Sequence, residues 1–149
     1  MKDTLRIKTV MTPFPYSVDA TQSLDEAVTV MKEHDIRHLP VRKDEELLGI
    51  LSERELQLII ARAKSDSSQK EPLVGEVLSG PAHVVDLLTP VAEVVEEMAL
   101  HRLGAVLVTK SGKLVGVFTA TDACRCLADI LREMEPEPED PSRRKAVSI

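Results

Sequence analysis

Thr119-Ala120-Thr121-Asp122 sets a hydroxyl and a carboxylate three positions apart, directly after the apolar run Val117-Phe118. A buried strand ending there delivers both groups to the start of a helix. The free N–H groups and positive dipole end of a helix N-terminus, together with the Thr119 hydroxyl, can receive a phosphate. Asp122 can then accept hydrogen bonds from a ribose diol, as acidic residues do in dinucleotide sites. Thr-x-x-Asp is also close to a helix-capping box, and on spacing alone capping is the commoner outcome of such matches.

Other reactive side chains are less well arranged. His34 and His38 have H-x-x-x-H spacing, but the helix before them should end near Asp35, so the rings would not share one helical face as metal ligands do. With no Cys or carboxylate to complete such a set, no metal site is expected. His34 and His101 occupy equivalent positions at helix ends, where they would serve as partners for free carbonyls. Cys124 and Cys126 project about 200° apart on a helix of 3.6 residues per turn and read as packing thiols without a neighbouring base. No pair of carboxylates at a catalytic spacing is present, so an enzyme is not expected.

The elements that hold these groups come in two copies. At an ungapped offset of 67, residues 10–57 align with 77–124, pairing Val10/Val77, Asp19/Asp86, Glu26/Glu93, Met31/Met98, His34/His101, Val41/Val108, Leu47/Leu114 and Gly49/Gly116. Such internal similarity decides the fold. Each copy reads β-α-β-β-α. In the first, a strand over Phe14 to Val18 leads to Ser23 and Glu26 at capping-box spacing. Leu24, Ala27, Val28 and Met31 then mark one helix face. Strands over His38 to Arg42 and Leu47 to Leu51 and a helix over Glu53 to Ala63 follow. In the second, a strand over Ala82 to Asp86 precedes Thr89 as cap and Pro90 at the first helical position. Strands over Ala105 to Thr109 and Leu114 to Phe118 and a helix over Thr121 to Arg132 complete it.

The composition fits this plan. The 149 residues are 43% hydrophobic and 30% charged, a soluble balance that suits two small halves sharing a core. Phe14, Tyr16 and Phe118 are the only aromatics, too few for the stacking platforms of single-strand nucleic-acid binders. A net charge of -6 also opposes phosphate-backbone binding, so nucleic acid is not an expected partner. The chain lacks an apolar run of membrane-spanning length and a secretory leader pattern, and two cysteines make no disulfide framework; a cytoplasmic, non-membrane setting is expected. The polar stretch 64–72 reads as a linker between repeats at 8–63 and 73–132. The segment 133–149, with Glu133, Glu135, Glu137, Glu139 and Asp140 among prolines, reads as a disordered acidic tail. Arg143-Arg144-Lys145 in that tail reads as a solubilising segment.

At this point the chain resembles the cystathionine-β-synthase (CBS) domain family. The resemblance rests on Asp35-Ile36-Arg37-His38-Leu39-Pro40-Val41, Leu48-Gly49-Ile50-Leu51-Ser52-Glu53-Arg54-Glu55 and Leu114-Val115-Gly116-Val117-Phe118-Thr119-Ala120-Thr121-Asp122, with Val10-Met11-Thr12-Pro13 ahead of the first strand. It covers residues 8 to 132 and implies an α+β (α/β) fold, two β-α-β-β-α repeats packed about a pseudo-twofold axis with two related clefts between them. In this family tandem pairs, or Bateman modules, bind adenosine-containing ligands and regulate other proteins. By resemblance, one cleft joins Thr119 and Asp122 to Pro15, Tyr16, Ser17, Ile36, Arg37, His38, Leu39 and Pro40. Thr119 would contact phosphate, Asp122 the ribose, and Ile36, Leu39 and Pro40 the adenine. Arg37 and His38 would reach the phosphates.

The second cleft would join Ser52 and Glu55 to Ala82, His83, Val84, Leu103, Gly104 and Ala105. It departs from the family pattern. Glu55 replaces the usual Asp, Leu107 stands where the first copy has Pro40, and Gly104 gives no counterpart to Arg37. This site is expected to be degenerate, with Ser52-x-x-Glu55 serving as a capping box. The expectation is a stand-alone regulatory pair, without a catalytic cofactor, that binds AMP, ADP, ATP or another adenosyl ligand and signals in trans to an unknown regulated protein. A homodimer is expected, formed through helix faces around Met31, Leu56, Ile59, Met98 and Leu127. The alternative is a ligand-free structural dimerisation or interaction module of the same fold.

Overall fold

The computed structural model describes residues 3–65, 70–137 and Ser142. Helix α1 (Ile7–Val10) and strand β1 (Thr12–Pro13) lead into β2 (Val18–Asp19), α2 (Leu24–Glu33), β3 (His38–Lys43), β4 (Glu46–Ser52) and α3 (Glu53–Ser65). A 3₁₀ turn at Val74–Glu76 then precedes β5 (Val84–Asp86), α4 (Val91–His101), β6 (Ala105–Lys110), β7 (Lys113–Thr119) and α5 (Ala120–Met134). The mixed α+β duplication is as the sequence indicates, and the internal register holds in detail. Both repeats pair a short parallel strand with an antiparallel hairpin. Both carry a bulge at one equivalent place, Val41/Arg42 and Val108/Thr109.

Local signals explain why the elements start where they do. Ser23 Oγ accepts from the Glu26 N–H at 3.1 Å and the Glu26 carboxylate accepts from the Ser23 N–H at 3.3 Å, a reciprocal cap on α2. Leu24, Ala27 and Met31 turn inward onto Leu39, Val41 and Leu51 of the sheet to make the first core. Val91, Val94 and Met98 of α4 do the same against Val106, Val108 and Phe118. Between the two sheets a third cluster forms, with Ala105, Leu107 and Val117 packed against Leu47, Ile50 and Leu114. The repeats thus bury the sheet faces that each alone would leave wet.

The segments ahead of the repeats change places, which the sequence reading does not anticipate. β1 pairs with β7 of the second repeat, Thr12 opposite Val117 and Pro13 opposite Gly116. That repeat's sheet is therefore four-stranded, in the order β1-β7-β6-β5, beside the three-stranded β2-β3-β4. Ile7 is fully buried in the second core, and its equivalent Val74 is fully buried in the first. The first strand is correspondingly shorter than expected, because Phe14 to Ser17 form a connection between the two sheets. Thr89 and Pro90 also differ from expectation. Pro90 stands at the N-cap position of α4 without a side-chain cap, and the Val91 N–H is taken instead by the Leu5 carbonyl at 2.8 Å. The crossing backbone supplies what a cap would.

The expected linker begins within α3, which extends to Ser65, and the tail's first two residues belong to α5. Residues 66–69, 138–141 and 143–149, including the basic cluster, lie outside the described residues. No helix among the described residues is long and apolar enough to cross a membrane.

Gly116 and Gly49 are where the crossing segments seat. A Cβ on Gly116 would lie 2.9 Å from Met11 Cγ and nearer still to its Sδ, while one on Gly49 would lie 3.2 Å from Leu78 Cδ1. Gly116→Ala should therefore cost about 1–3 kcal/mol through overpacking, measured by denaturant unfolding. Adding Met11→Ala should recover part of that loss. Strict additivity of the two changes would contradict the contact.

Candidate functional site

The crossing of β1 brings the two repeats' element ends together around a cavity of about 570 Å³, within the usual size of small-molecule sites. Thr119, Thr121, Asp122 and Arg125 come from β7 and α5; Tyr16, Ile36, Arg37 and His38 come from the first repeat. Thr12 to Pro15 form its rim with the ends of α2 and β7, through His34, Asp35 and Val117.

Thr119 and Asp122 make the capping box in full. Thr119 Oγ1 accepts from the Asp122 N–H at 3.1 Å, and Asp122 Oδ2 accepts from the Thr119 N–H at 2.9 Å. Capping does not remove these groups from the cavity. Asp122 is nearly buried, and its Oδ1 receives Arg125 Nη1 at 3.2 Å. An ionised carboxylate has about four acceptor positions, so capacity remains for a ligand hydroxyl. The Ala120 N–H is spent on the Gly104 carbonyl at 2.9 Å. Attraction for an anion at this helix end therefore comes from the dipole, the Thr119 and Thr121 hydroxyls and the two guanidinium groups.

Arg37 is largely exposed and lies 3.9 Å from the Glu53 carboxylate, an open ion pair worth at most about 1 kcal/mol and easily exchanged for a ligand. His38 does the opposite and reaches across to the second repeat. Its Nε2 lies 3.1 Å from where a Cβ on Gly104 would stand, so only glycine there admits the imidazole without displacement. Burial, and secondarily Arg37, hold the His38 pKa below the ordinary imidazole value, against a weaker opposing pull from Asp122.

Three expected site residues lie off this cavity. Leu39 alternates away from His38 and is fully buried in the first core. Pro40 is buried at the position equivalent to Leu107 of the cluster between the sheets. Ser17 follows Tyr16 in the extended connection to β2 and does not line the cavity. Of the second set, Ser52 Oγ accepts from the Glu55 N–H at 3.1 Å, the first half of a capping box, and Glu55 is exposed. Leu103 packs on the second core, Val84 is exposed, and Gly104 faces His38 of the other cleft. His83 lies with its ring 6.4 Å from that of His101.

The helix-end histidines do not do what their position suggests. The His34 ring stacks on Tyr16 with centroids 3.5 Å apart and planes 11° from parallel, and His101 Nε2 pairs with Glu97 at 3.1 Å. Phe14, expected to open the first strand, lies instead on the cavity rim. It is 91% exposed at the rim with φ of 51°. Asp35/Arg102 and Asp44/Ser111 adopt positive φ in repeat-equivalent pairs, but the equivalent of Phe14 is Pro81, whose ring forbids it. Burial pushes the Cys126 thiol up, in keeping with packing rather than reactivity. Among the described residues no group of three or more His, Cys, Asp or Glu is placed to hold a metal ion.

A family model described as "CBS domain" matches residues 7–62 and again residues 74–129. The chain belongs to the CBS-domain family. Each match begins at the buried residue of a crossing segment, Ile7 and Val74. An inosine-5'-monophosphate dehydrogenase of Thermoplasma acidophilum is 31% identical over 82% of this chain but only 24% of its own length. Similarly, this CBS pair spans under half of a 33.4 kDa protein from the ribosomal RNA operon of Thermofilum pendens, at 32% identity over 79% of the chain. Among solved structures, the acetoin utilization protein AcuB of Vibrio cholerae superposes with a TM-score of 0.77 at 29% identity, covering 91% of this chain and all of that one. The pair CBSX2, solved with AMP, has a TM-score of 0.73 at 23% identity over 86% of this chain and 99% of its own.

A histidine whose pKa is depressed on folding binds fewer protons in the native state, so its contribution is complete above its unfolded value and is lost on acidification. Stability should therefore fall as the pH drops below about 6.5, the ordinary imidazole value. His38→Gln should flatten that slope in denaturant titrations between about pH 5 and 7.5. An unchanged slope would show that the imidazole is not held neutral by its place against Gly104.

Proposed function

We propose that the cleft between the CBS repeats binds an adenine nucleotide of the AMP, ADP or ATP class, and that occupancy regulates a protein with which the pair associates. The observation that carries this reading is the convergence of Thr119 and Asp122 from one repeat with Tyr16, Ile36, Arg37 and His38 from the other on one cavity of ligand size. Phosphate is met by Arg37, by the Thr119 hydroxyl and by the α5 dipole; Asp122 takes the ribose hydroxyls; Ile36 and Tyr16 flank the base. A phosphate beside His38 opposes the burial that lowers its pKa, so binding should strengthen as the pH falls. Two structures of this fold support the ligand class. CBSX2 was solved with AMP, and the CBS pair of MJ0100 with 5'-methylthioadenosine and S-adenosyl-L-methionine.

Differential binding is how such a site would regulate. A ligand that bridges two repeats favours one arrangement of them, and anything that senses that arrangement senses the ligand. AMP, ADP and ATP should each be titrated against melting temperature. A ligand at about 100 times its Kd adds about 2.7 kcal/mol of stability. Asp122→Ala should abolish that increment and Glu55→Ala should preserve it. Absence of a shift with every nucleotide would favour the ligand-free interaction module.

Of the helix faces expected to carry a homodimer contact, that around Leu127 is open to a partner. Met31, Leu56 and Met98 are core residues with at most 6% exposure, so they are not available to a partner. The helix faces are turned so that Leu127, Ile130, Leu131 and Met134 of α5 form the open apolar stripe, at i, i+3, i+4 and i+7. We place the homodimer contact there. Leu127→Glu with Leu131→Glu should convert a dimer to a monomer in sedimentation equilibrium with little change in the fold, and a dimer that persists would exclude this face.

A further inference from the structure

The Tyr16–His34 pair joins the loop after β1 to the end of α2, on the rim of the cavity. Centroids 3.5 Å apart with planes 11° from parallel are in van der Waals contact, so no third ring fits between them. A flat ligand ring can use only an outer face of the stack. Tyr16 is 51% exposed and contributes to the cavity lining, so its ring can be reached from the cavity. His34 fixes the plane of that face, because a lone, half-exposed tyrosine would otherwise sample several rotamers. The equivalent positions in the second repeat are His83 and His101, whose rings stand 6.4 Å apart and tilted by 32°. The flat double layer is therefore a property of this cleft and not of the repeat.

We propose that the Tyr16–His34 stack is the element that selects a ligand with a planar heteroaromatic ring, Tyr16 touching that ring and His34 acting as the positioning residue. The inference rests on the nucleotide reading above and adds to it the group that reads the base. Stacking of this kind tolerates different bases but requires one. Ribose 5-phosphate, which offers the same sugar and phosphate, should bind far more weakly than AMP.

The chain's composition provides the test. Tyr16 is the single tyrosine and there is no tryptophan, so emission excited near the tyrosine band reports this ring alone in the whole chain. AMP should change Tyr16 emission with a Kd that also accounts for its effect on melting temperature, and ribose 5-phosphate should leave emission unchanged. His34→Ala should alter the emission of the free protein and weaken AMP binding roughly tenfold, while His34→Phe should restore affinity to within about threefold. Both residues are at the surface, so the variants should keep the wild-type far-ultraviolet dichroism. If AMP raises the melting temperature without moving Tyr16 emission, or if His34→Ala binds AMP as tightly as wild type, the stacking role is overturned and the nucleotide site stands. If AMP, ADP and ATP all leave the melting temperature unchanged, both fail.

Discussion

The structure depends on one exchange: the segment ahead of each repeat closes the core of the other. Ile7 fills the second core and Val74 the first, each with no exposed surface. The Leu5 carbonyl replaces a side-chain cap at α4, and β1 extends the second repeat's sheet. Neither repeat is complete without chain from the other side. The exchange also builds the cavity, because β1 can pair with β7 only by carrying Thr12 to Tyr16 past Thr119 and Asp122.

Duplication makes two sets of equivalent positions, and particular substitutions make them unequal. Arg37 and His38 answer to Gly104 and Ala105, Asp122 to Glu55, and Tyr16 to His83. Gly104 is more than a missing arginine. Its bare Cα leaves the space that the His38 imidazole enters, so a loss from one cleft completes the other. Phe14 shows the same asymmetry in the backbone, since the left-handed turn it adopts is closed to Pro81. A bulky residue held there costs of order 1–3 kcal/mol, and Phe14 sets that cost on the rim of the cavity.

Much of this was legible in the sequence because it is local or periodic. The repeat, the cap at Ser23, the helix stripes and Thr119-x-x-Asp122 are all read from spacing, and spacing survives folding. The exchange of segments was not legible, since a two-residue strand such as Thr12–Pro13 carries no pattern of its own and its partner lies about a hundred positions away. Side-chain direction was the other blind spot. A match at Leu39 and Pro40 does not say which face of β3 each takes, and helical stripes do not say that Met31, Leu56 and Met98 turn inward while Leu127 turns out. The Tyr16–His34 contact had one trace, the shared spacing of Tyr16/His34 and His83/His101, whose meaning appears only in three dimensions.

The central claim is that an asymmetric pair of repeats holds a single nucleotide site. Calorimetric titration of AMP into the protein measures this directly as stoichiometry. One AMP bound per chain is the predicted result; two per chain, or none, would contradict it.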